Sequence, residues 1–273
     1  MKHKSKLNLY LGIVILFLYL PIFVLIVFAF NSTKSRTVFS GFTIQWFAEL
    51  FKDSLIINAL FNSLILAVLS SIIATVIGTA AALQILKVKK IKQSIIMNLN
   101  FVSVINSEVV MGVSLMMLFV FVLNIIGGEL GFITVLIAHI TFIIPYVVLT
   151  MLPKIRQIDP NILDAALDLG CTPSRAFFKV ILPQIMPGIA SSLIMGFSLS
   201  FDDFAVSYFT TGSSFQTLPV LIYSMTRKRI TPKINALFTL IFVLVFIMLI
   251  VMNILDIRSE KNKKKKSAKI IND

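Results

Sequence analysis

Long apolar stretches, separated by short polar segments, run through most of the chain. Six of them reach the length of about 20 residues that a helix needs to cross roughly 30 Å of hydrocarbon. They lie near residues 9–30, 58–86, 95–123, 132–152, 187–209 and 234–256. The second and third are long enough to tilt or to continue into water. The pattern therefore predicts an all-α, polytopic membrane protein with about six transmembrane helices.

The first apolar stretch follows a basic start and could be mistaken for a secretory signal. Its apolar part, residues 7–30, is longer than the apolar core of about 7–15 residues found in a signal peptide. The residues at its end, Phe28-Ala29-Phe30-Asn31, lack the small-x-small pattern of a cleavage site. We therefore expect this stretch to be retained as the first helix.

The composition also indicates a bilayer, because 58% of the residues are hydrophobic and the mean hydropathy is +0.96. The formal net charge of +13 raises the possibility of a nucleic-acid partner. Much of this excess, however, lies in the KNKKKK tail and in the turn KVKKIK at residues 87–92. Such clusters beside membrane helices are anchors attracted to anionic lipid. We therefore expect contact with membrane lipid and none with nucleic acid.

The distribution of basic residues orients the helices. If the first of six helices starts inside, both termini lie in the cytoplasm. Only seven of the 25 lysines and arginines then lie outside, which agrees with the positive-inside rule. The basic cluster at residues 227–233 runs against that rule, so the last external loop is the part of the topology that the charges support least.

The sequence lacks the residues needed for several kinds of activity. There is no Gly-x-x-x-x-Gly-Lys-Ser/Thr phosphate loop, so we expect ATP hydrolysis to be done by a partner subunit. The one cysteine, Cys171, excludes an intrachain disulfide and a cysteine-based metal cage. His139 is expected to be a hydrogen-bonded helix-packing residue rather than a ligand. We predict no catalytic residue, metal or cofactor.

Residues 153–186, between the fourth and fifth apolar stretches, have the pattern of a helical hairpin in water. Asp159 followed by Pro160 is a helix start, a side-chain cap before a residue that has no N–H to satisfy. Gly170 suits the left-handed position just past a helix end. These signals predict a first short helix between residues 160 and 169.

A second short helix is predicted after the turn. Thr172 and Pro173 repeat the combination of cap and proline. Pro183 and Pro187 are expected to end this helix and to begin the fifth membrane span.

The hairpin resembles the EAA loop in permease subunits of ATP-binding-cassette importers. That loop has an acidic residue, two alanines, a glycine four positions later and then a leucine-proline pair. The matching positions are Asp164, Ala165, Ala166, Gly170, Leu182 and Pro183. Two positions depart from the usual form, with Asp for Glu at 164 and Val180 where isoleucine is commonest.

This resemblance covers roughly residues 55–255 and implies the MetI-like permease fold in a bacterial plasma membrane. It also implies that the hairpin docks in a groove of a cytoplasmic ATP-binding subunit dimer and carries its closing motion into the membrane. The two alanines would let the partner backbone come close. We divide the chain into an N-terminal helix with the first external loop (1–57), a permease core (58–256) and a basic cytoplasmic tail (257–273).

Three acids lie within or at the edge of predicted spans: Glu108, Asp202 and Asp203. Charges in hydrocarbon are costly, and those that persist usually face a cavity or a partner. Phe204 and Tyr208 follow the aspartates, and carboxylates beside aromatic rings suit an alkylammonium group. Because successive helical residues are about 100° apart, we expect Asp203 to face the substrate path and Asp202 to bond a neighbouring helix. The alternative is that both acids only tie helices together.

Two further residues have two interpretations each. Glu108 lies midway along the predicted third span, near Asn106, Ser107 and Gly112, and is either a second carboxylate on the path or an interhelical bridge. Trp46, in the first external loop, is either an interfacial anchor or a contact for a binding protein or for the amine at the outer mouth.

The segments SFDDF, TLP-x-x-IYSM and P-x-INA resemble the spermidine/putrescine type of permease. This resemblance implies import of linear polyamines together with an ATPase, a second related permease and an extracellular or lipid-anchored polyamine-binding protein. The alternative is the same architecture with another small cargo, such as iron, thiamine, a phosphonate or an opine. A membrane enzyme or receptor without an ATPase would need a convergent catalytic set, which the sequence lacks.

Overall fold

Helices make up nearly all of the secondary structure in the computed structural model, which describes residues 2–33, 38–159, 161–228, 232–243, 246–247 and 250. Within these ranges, the extended pairing is a single bridge between Asn31 and Phe42. The helices are α1 (Lys2–Ala29), α2 (Gln45–Lys52), α3 (Ser54–Ile85), α4 (Lys90–Ile105), α5 (Glu108–Ile126), α6 (Phe132–Arg156), α7 (Asn161–Asp168), α8 (Pro173–Ala176), α9 (Leu182–Phe201), α10 (Ala205–Thr210), α11 (Leu218–Lys228) and α12 (Pro232–Val243). The predicted all-α class is confirmed.

Five helical segments of the described chain are long and apolar enough to cross a membrane. They are Tyr10–Ala29, Ser54–Ile85, Glu108–Ile126, Phe132–Arg156 and Pro173–Phe201. The sixth predicted span, 234–256, begins within α12, and most of its remainder lies outside the described residues. The polytopic pattern predicted from the sequence is therefore confirmed.

The third predicted span is wrong in one respect, because it is two helices rather than one. Asn106 (φ −63°, ψ 143°) and Ser107 (φ −64°, ψ 133°) are extended and separate α4 from α5. Asn and Ser favour such positions because their short polar side chains compete with helical hydrogen bonding. Glu108 is therefore the first residue of a helix, not the middle of one.

The fifth predicted span is also wrong at both ends. The helix continues from Pro173 to Phe201 instead of stopping at Pro183. A wide π-type turn at Phe177–Ile181 precedes the proline, and the N–H of Leu182 donates to the carbonyl of Phe177. This turn accommodates a residue that cannot donate to the carbonyl four positions back. At the other end, the helix stops at Phe201 and not at residue 209.

The chain divides into two compact units by its contacts, one formed by Met1–Ser54 with Ser224–Asp273, the other by Leu55–Tyr223. In the larger unit, α6 packs against α9, and α5 packs against α10. Its core consists of Ala74, Ala82, Ile85, Phe142, Ile143, Val147, Val148, Met151, Leu152 and Ile185. The predicted three-part division at residues 57 and 256 stays a prediction.

Glycines let the helices of the larger unit approach closely. A Cβ at Gly78 of α3 would lie 2.7 Å from the Cβ of Val147 in α6. A Cβ at Gly196 of α9 would lie 3.0 Å from the Cγ2 of Ile143. Small residues have this role in membranes because helix association there depends on van der Waals packing rather than on the hydrophobic effect.

The smaller unit holds Trp46, the one tryptophan, in its interior. The residue is only 7% exposed, and its Nε1 donates to the carbonyl of Asn31 over 2.7 Å. The Asn31 side chain in turn donates to the Val38 carbonyl (2.8 Å) and accepts from the Ser40 amide (3.0 Å). Trp46 therefore packs inside the smaller unit, and its two interpretations, as an interfacial anchor or as a contact at the outer mouth, stay predictions.

We expect Gly78→Ala to destabilise the chain by about 1–3 kcal/mol, because the added methyl group overlaps the Val147 side chain. The matched control is Gly12→Ala in α1, where a Cβ would meet nothing within 4 Å. Both exchanges raise helix propensity equally. Thermal unfolding in mild detergent measures the difference, and equal melting temperatures for the two variants would contradict the close contact between α3 and α6.

Candidate functional site

A break between α9 and α10 positions the paired aspartates. The helix ends at Phe201, and α10 begins at Ala205. Within the break, the Asp203 carboxylate accepts hydrogen bonds from the amide of Val206 (3.3 Å, Oδ1) and from that of Ser207 (2.7 Å, Oδ2). Asp203 therefore caps the first turn of α10 with its side chain, the role for which aspartate is favoured at helix starts.

Asp203 also belongs to a buried polar network centred on His139 of α6. The His139 Nε2 atom lies 3.4 Å from Asp203 Oδ2 and 3.0 Å from Ser207 Oγ. Its Nδ1 atom lies 2.6 Å from Ser200 Oγ, which in turn accepts from Ser70 Oγ over 2.9 Å. The network thus joins α3, α6, α9 and α10. The predicted packing role of His139 is confirmed.

The two aspartates differ in exposure, and in the opposite sense to the one expected. The Asp203 side chain is only 1% exposed and is bonded within the protein, whereas Asp202 is exposed. The expectation of an exposed Asp203 and a bonded Asp202 assumed that both lie in one continuous helix. Because the helix ends at Phe201, the amides of α10 direct Asp203 inward instead.

Glu108 lies close to these aspartates although it is distant in sequence. It is exposed at the first turn of α5, where the helix dipole favours negative charge. Its carboxylate lies within electrostatic range of those of Asp202 and Asp203 and of the hydroxyl of Tyr146 in α6. Within the described chain, Glu108 forms no salt bridge. Two helix breaks therefore bring three acids together, two of which are exposed.

Close packing of α5 on α10 brings Glu108 to this place. A Cβ at Gly112, one turn after Glu108, would lie 3.1 Å from the Ala205 carbonyl oxygen and 3.0 Å from the Phe209 ring. The small-residue neighbourhood noted in the sequence around Gly112 is thus a helix contact.

Aromatic rings lie beside the break. The ring of Phe204 lies 4.6 Å from that of Tyr223 and 5.3 Å from that of Tyr208, measured between centroids. The Tyr208 and Tyr223 rings are 5.7 Å apart, and both are partly exposed. We call Phe204, Tyr208 and Tyr223 the aromatic cluster. Exposed carboxylates next to such ring faces attract an organic cation and its methylene groups.

Sequence reasoning missed Tyr146 and Tyr223 as members of the site. Tyr223 stands in the IYSM segment, which carries the resemblance to a permease family. Tyr146 follows His139 by seven residues, which places both on one face of α6. That spacing is a sequence signal by which Tyr146 could be assigned to the same side of α6 as His139. Among the described residues, no group of acids, histidines or cysteines could hold a metal ion.

The hairpin adopts the predicted caps. Asp159 Oδ1 accepts from the Asn161 amide (2.9 Å), and Thr172 Oγ1 accepts from the Arg175 amide (3.4 Å). Gly170 has φ +80°, a conformation that favours glycine.

The EAA positions differ in exposure. The exposed ones are Asp164, Ala165, Gly170 and Pro183. Leu182 is partly buried, and Ala166 is only 8% exposed. Ala165 is therefore accessible and Ala166 packs inside, while the docking role of the two alanines stays a prediction.

We expect Asp203→Asn to destabilise the protein by about 2 kcal/mol, since it removes the charge that His139 and two amides stabilise in a buried site. The matched control is Asp202→Asn, which we expect to change stability by less than about 0.5 kcal/mol because Asp202 is exposed. Thermal unfolding of both variants in the same detergent tests this. Equal loss in the two variants would contradict the assignment of Asp203 to the network.

Two curated relatives from Escherichia coli (strain K12) cover most of the chain. The spermidine/putrescine transport system permease protein PotC is 37% identical over 82% of this chain and 84% of its own. The putrescine transport system permease protein PotI is 37% identical over 82% of this chain and 81% of its own.

A solved structure and a family model complete the comparison. A chain of a bacterial ABC transporter involved in the import of the acidic polysaccharide alginate matches with a TM-score of 0.66, 19% identity, and coverage of 92% of this chain and 94% of that one. This likeness confirms the MetI-like fold. The family described as "Binding-protein-dependent transport system inner membrane component" matches residues 74–261. The chain therefore belongs to this family and is a membrane-spanning permease subunit of a transport system.

Proposed function

We propose that this permease imports linear polyamines such as spermidine and putrescine through the bacterial plasma membrane. The observation that carries the proposal is the pair of exposed carboxylates, Asp202 and Glu108, at two helix breaks, with the aromatic cluster beside the break that holds Asp202. The relatives named for spermidine and putrescine transport, 37% identical over most of the chain, support the same cargo.

The chemistry of the site suits a chain of ammonium groups joined by methylenes. A carboxylate pairs with an ammonium by charge-assisted hydrogen bonds, and a ring face attracts both the cation and its apolar linker. Asp202 and Glu108 stand at breaks of two different helices, so one extended dication has two carboxylates to contact. An anionic cargo such as a phosphonate would be repelled by the same groups.

Transport requires that this contact be weak and alternately open to each side. We infer a rocking motion about a site near the bilayer midplane, as in other transporters whose discontinuous helices form the binding site. The helix breaks at residues 106–107 and 202–204 are the discontinuities in this chain. The exposed position of Asp202 supports release, because a partly hydrated carboxylate holds a cation less tightly than a buried one.

The energy for this motion comes, in this proposal, from a separate cytoplasmic ATPase dimer. The hairpin with its exposed Asp164 and Ala165 is the docking element. The other partners are a second related permease and an extracellular or lipid-anchored polyamine-binding protein. Both termini lie in the cytoplasm in this arrangement, so the hairpin is on the same side as the ATPase.

We expect Asp202→Asn to reduce spermidine uptake by the complete complex about tenfold, since an ammonium–carboxylate pair is worth about 1.4 kcal/mol or more where water is partly excluded. Glu108→Gln should reduce it in the same direction. Uptake of radiolabelled polyamine by vesicles, with competition by other cations, measures both.

The control for these variants is Glu129→Gln, an exposed acid in the loop between α5 and α6. It changes the same functional group away from the break and should leave uptake unchanged. Unchanged uptake in Asp202→Asn and Glu108→Gln, with the complex intact, would rule out the polyamine site and favour another cargo.

We expect Ala165→Leu to lower both uptake and the amount of ATPase that copurifies, because the larger side chain obstructs a close backbone approach. The chain itself should remain as stable as the unchanged protein, since Ala165 is exposed. The matched control is Ala48→Leu, an exposed alanine of α2. Normal copurification with Ala165→Leu would contradict the docking role.

A further inference from the structure

A groove of about 730 Å³ lies between the ends of α3 and α6 and the base of the hairpin. Its wall is mainly apolar and includes Ala80 and Leu83 of α3, Ile155 of α6, Leu163 of α7 and Phe177 of the π-type turn. It is separate from the helix breaks that hold the acids. The transport proposal assigns it no role.

Two cations and one acid line the same groove. Lys87 and Arg156 are both exposed. The acid, Asp159, accepts the Asn161 amide and caps α7. The neighbouring lysines at positions 89, 90 and 92 add positive charge to this side of the molecule without lining the groove.

The groove lies at the ends of two helices that can span a membrane. The helices α3 and α6 are both long and apolar enough to span a membrane. They end at Ile85 and Arg156, so the groove lies where hydrocarbon gives way to the polar headgroup region. A ligand that fits must be apolar at one end and negatively charged at the other.

We propose that this groove binds an anionic phospholipid, with the phosphate held by Lys87 and Arg156 and an acyl chain lying against the hairpin. Basic pockets between membrane helices on the cytoplasmic side select anionic headgroups in this way. The bound lipid would then support the hairpin base from the membrane side while its exposed face remains available to a partner. This inference does not depend on the identity of the cargo.

The test is lipid binding by the full chain in its complete complex. The complex is placed in nanodiscs of phosphatidylglycerol and phosphatidylcholine, and the lipid retained after mild detergent extraction is counted by native mass spectrometry. We expect phosphatidylglycerol to be retained selectively. The double variant Lys87→Gln/Arg156→Gln should lower that retention about 30-fold, as expected for losing two cations near a lipid headgroup.

The matched control is Lys90→Gln/Lys92→Gln, which removes the same charge from residues outside the groove. It should retain the lipid. Ala80→Phe is a second variant, which leaves every charge in place and fills part of the groove from an exposed position; it should also lose the lipid.

Three results would overturn the proposal. The first is equal loss in the two charge variants, which would mean general surface attraction. The second is equal retention of phosphatidylcholine and phosphatidylglycerol by the unchanged complex. The third is a photo-crosslinker at position 80 that captures another subunit instead of lipid, which would mean that a protein segment fills the groove.

Discussion

The buried contact between Asp203 and His139 is the interaction on which the candidate site depends. Burying a carboxylate is costly unless it is paired and hydrogen-bonded, and here a histidine and two amides of α10 meet that need. The contact fixes the end of α9 and the start of α10. It thereby leaves Asp202 exposed and sets Phe204 beside Tyr208 and Tyr223. The structure thus makes one aspartate part of the scaffold, and the proposed contact with the cargo falls to the other, which is exposed.

Close helix packing supplies the rest of the arrangement. The close contact at Gly112 holds α5 against α10. The same contact places the exposed Glu108 near the break between α9 and α10. The serines at positions 70 and 200 extend the polar network to α3. A membrane interior offers no water to satisfy such groups, so they bond one another. Rigid packing around an exposed acid suits the proposed cation path, since a mobile carboxylate would bind without orientation.

The sequence predicts the apolar spans and the hairpin well, because hydropathy, helix caps and prolines are local signals. These signals correctly predict the caps at Asp159 and Thr172 and the turn at Gly170. The helix breaks were not, since two or three extended residues hardly change the hydropathy of a long apolar run. Pro183 has the opposite effect: it predicts a helix end, but the helix continues because the π-type turn before it accommodates the proline. Tertiary contacts with His139 decide which aspartate is buried, and these contacts cannot be inferred from the spacing of residues in the sequence.

The exposure of position 202 to water tests the account most directly. In a Cys171→Ser background, a cysteine is placed at position 202 in one variant and at position 17 of α1, where Phe17 is 77% exposed, in another. Both are treated with a charged, membrane-impermeant thiol reagent in the assembled transporter. The account predicts that the cysteine at 202 reacts and that the one at 17, facing lipid, does not. A cysteine at 202 that reacts no faster than the one at 17 would contradict an aqueous cation path at the break.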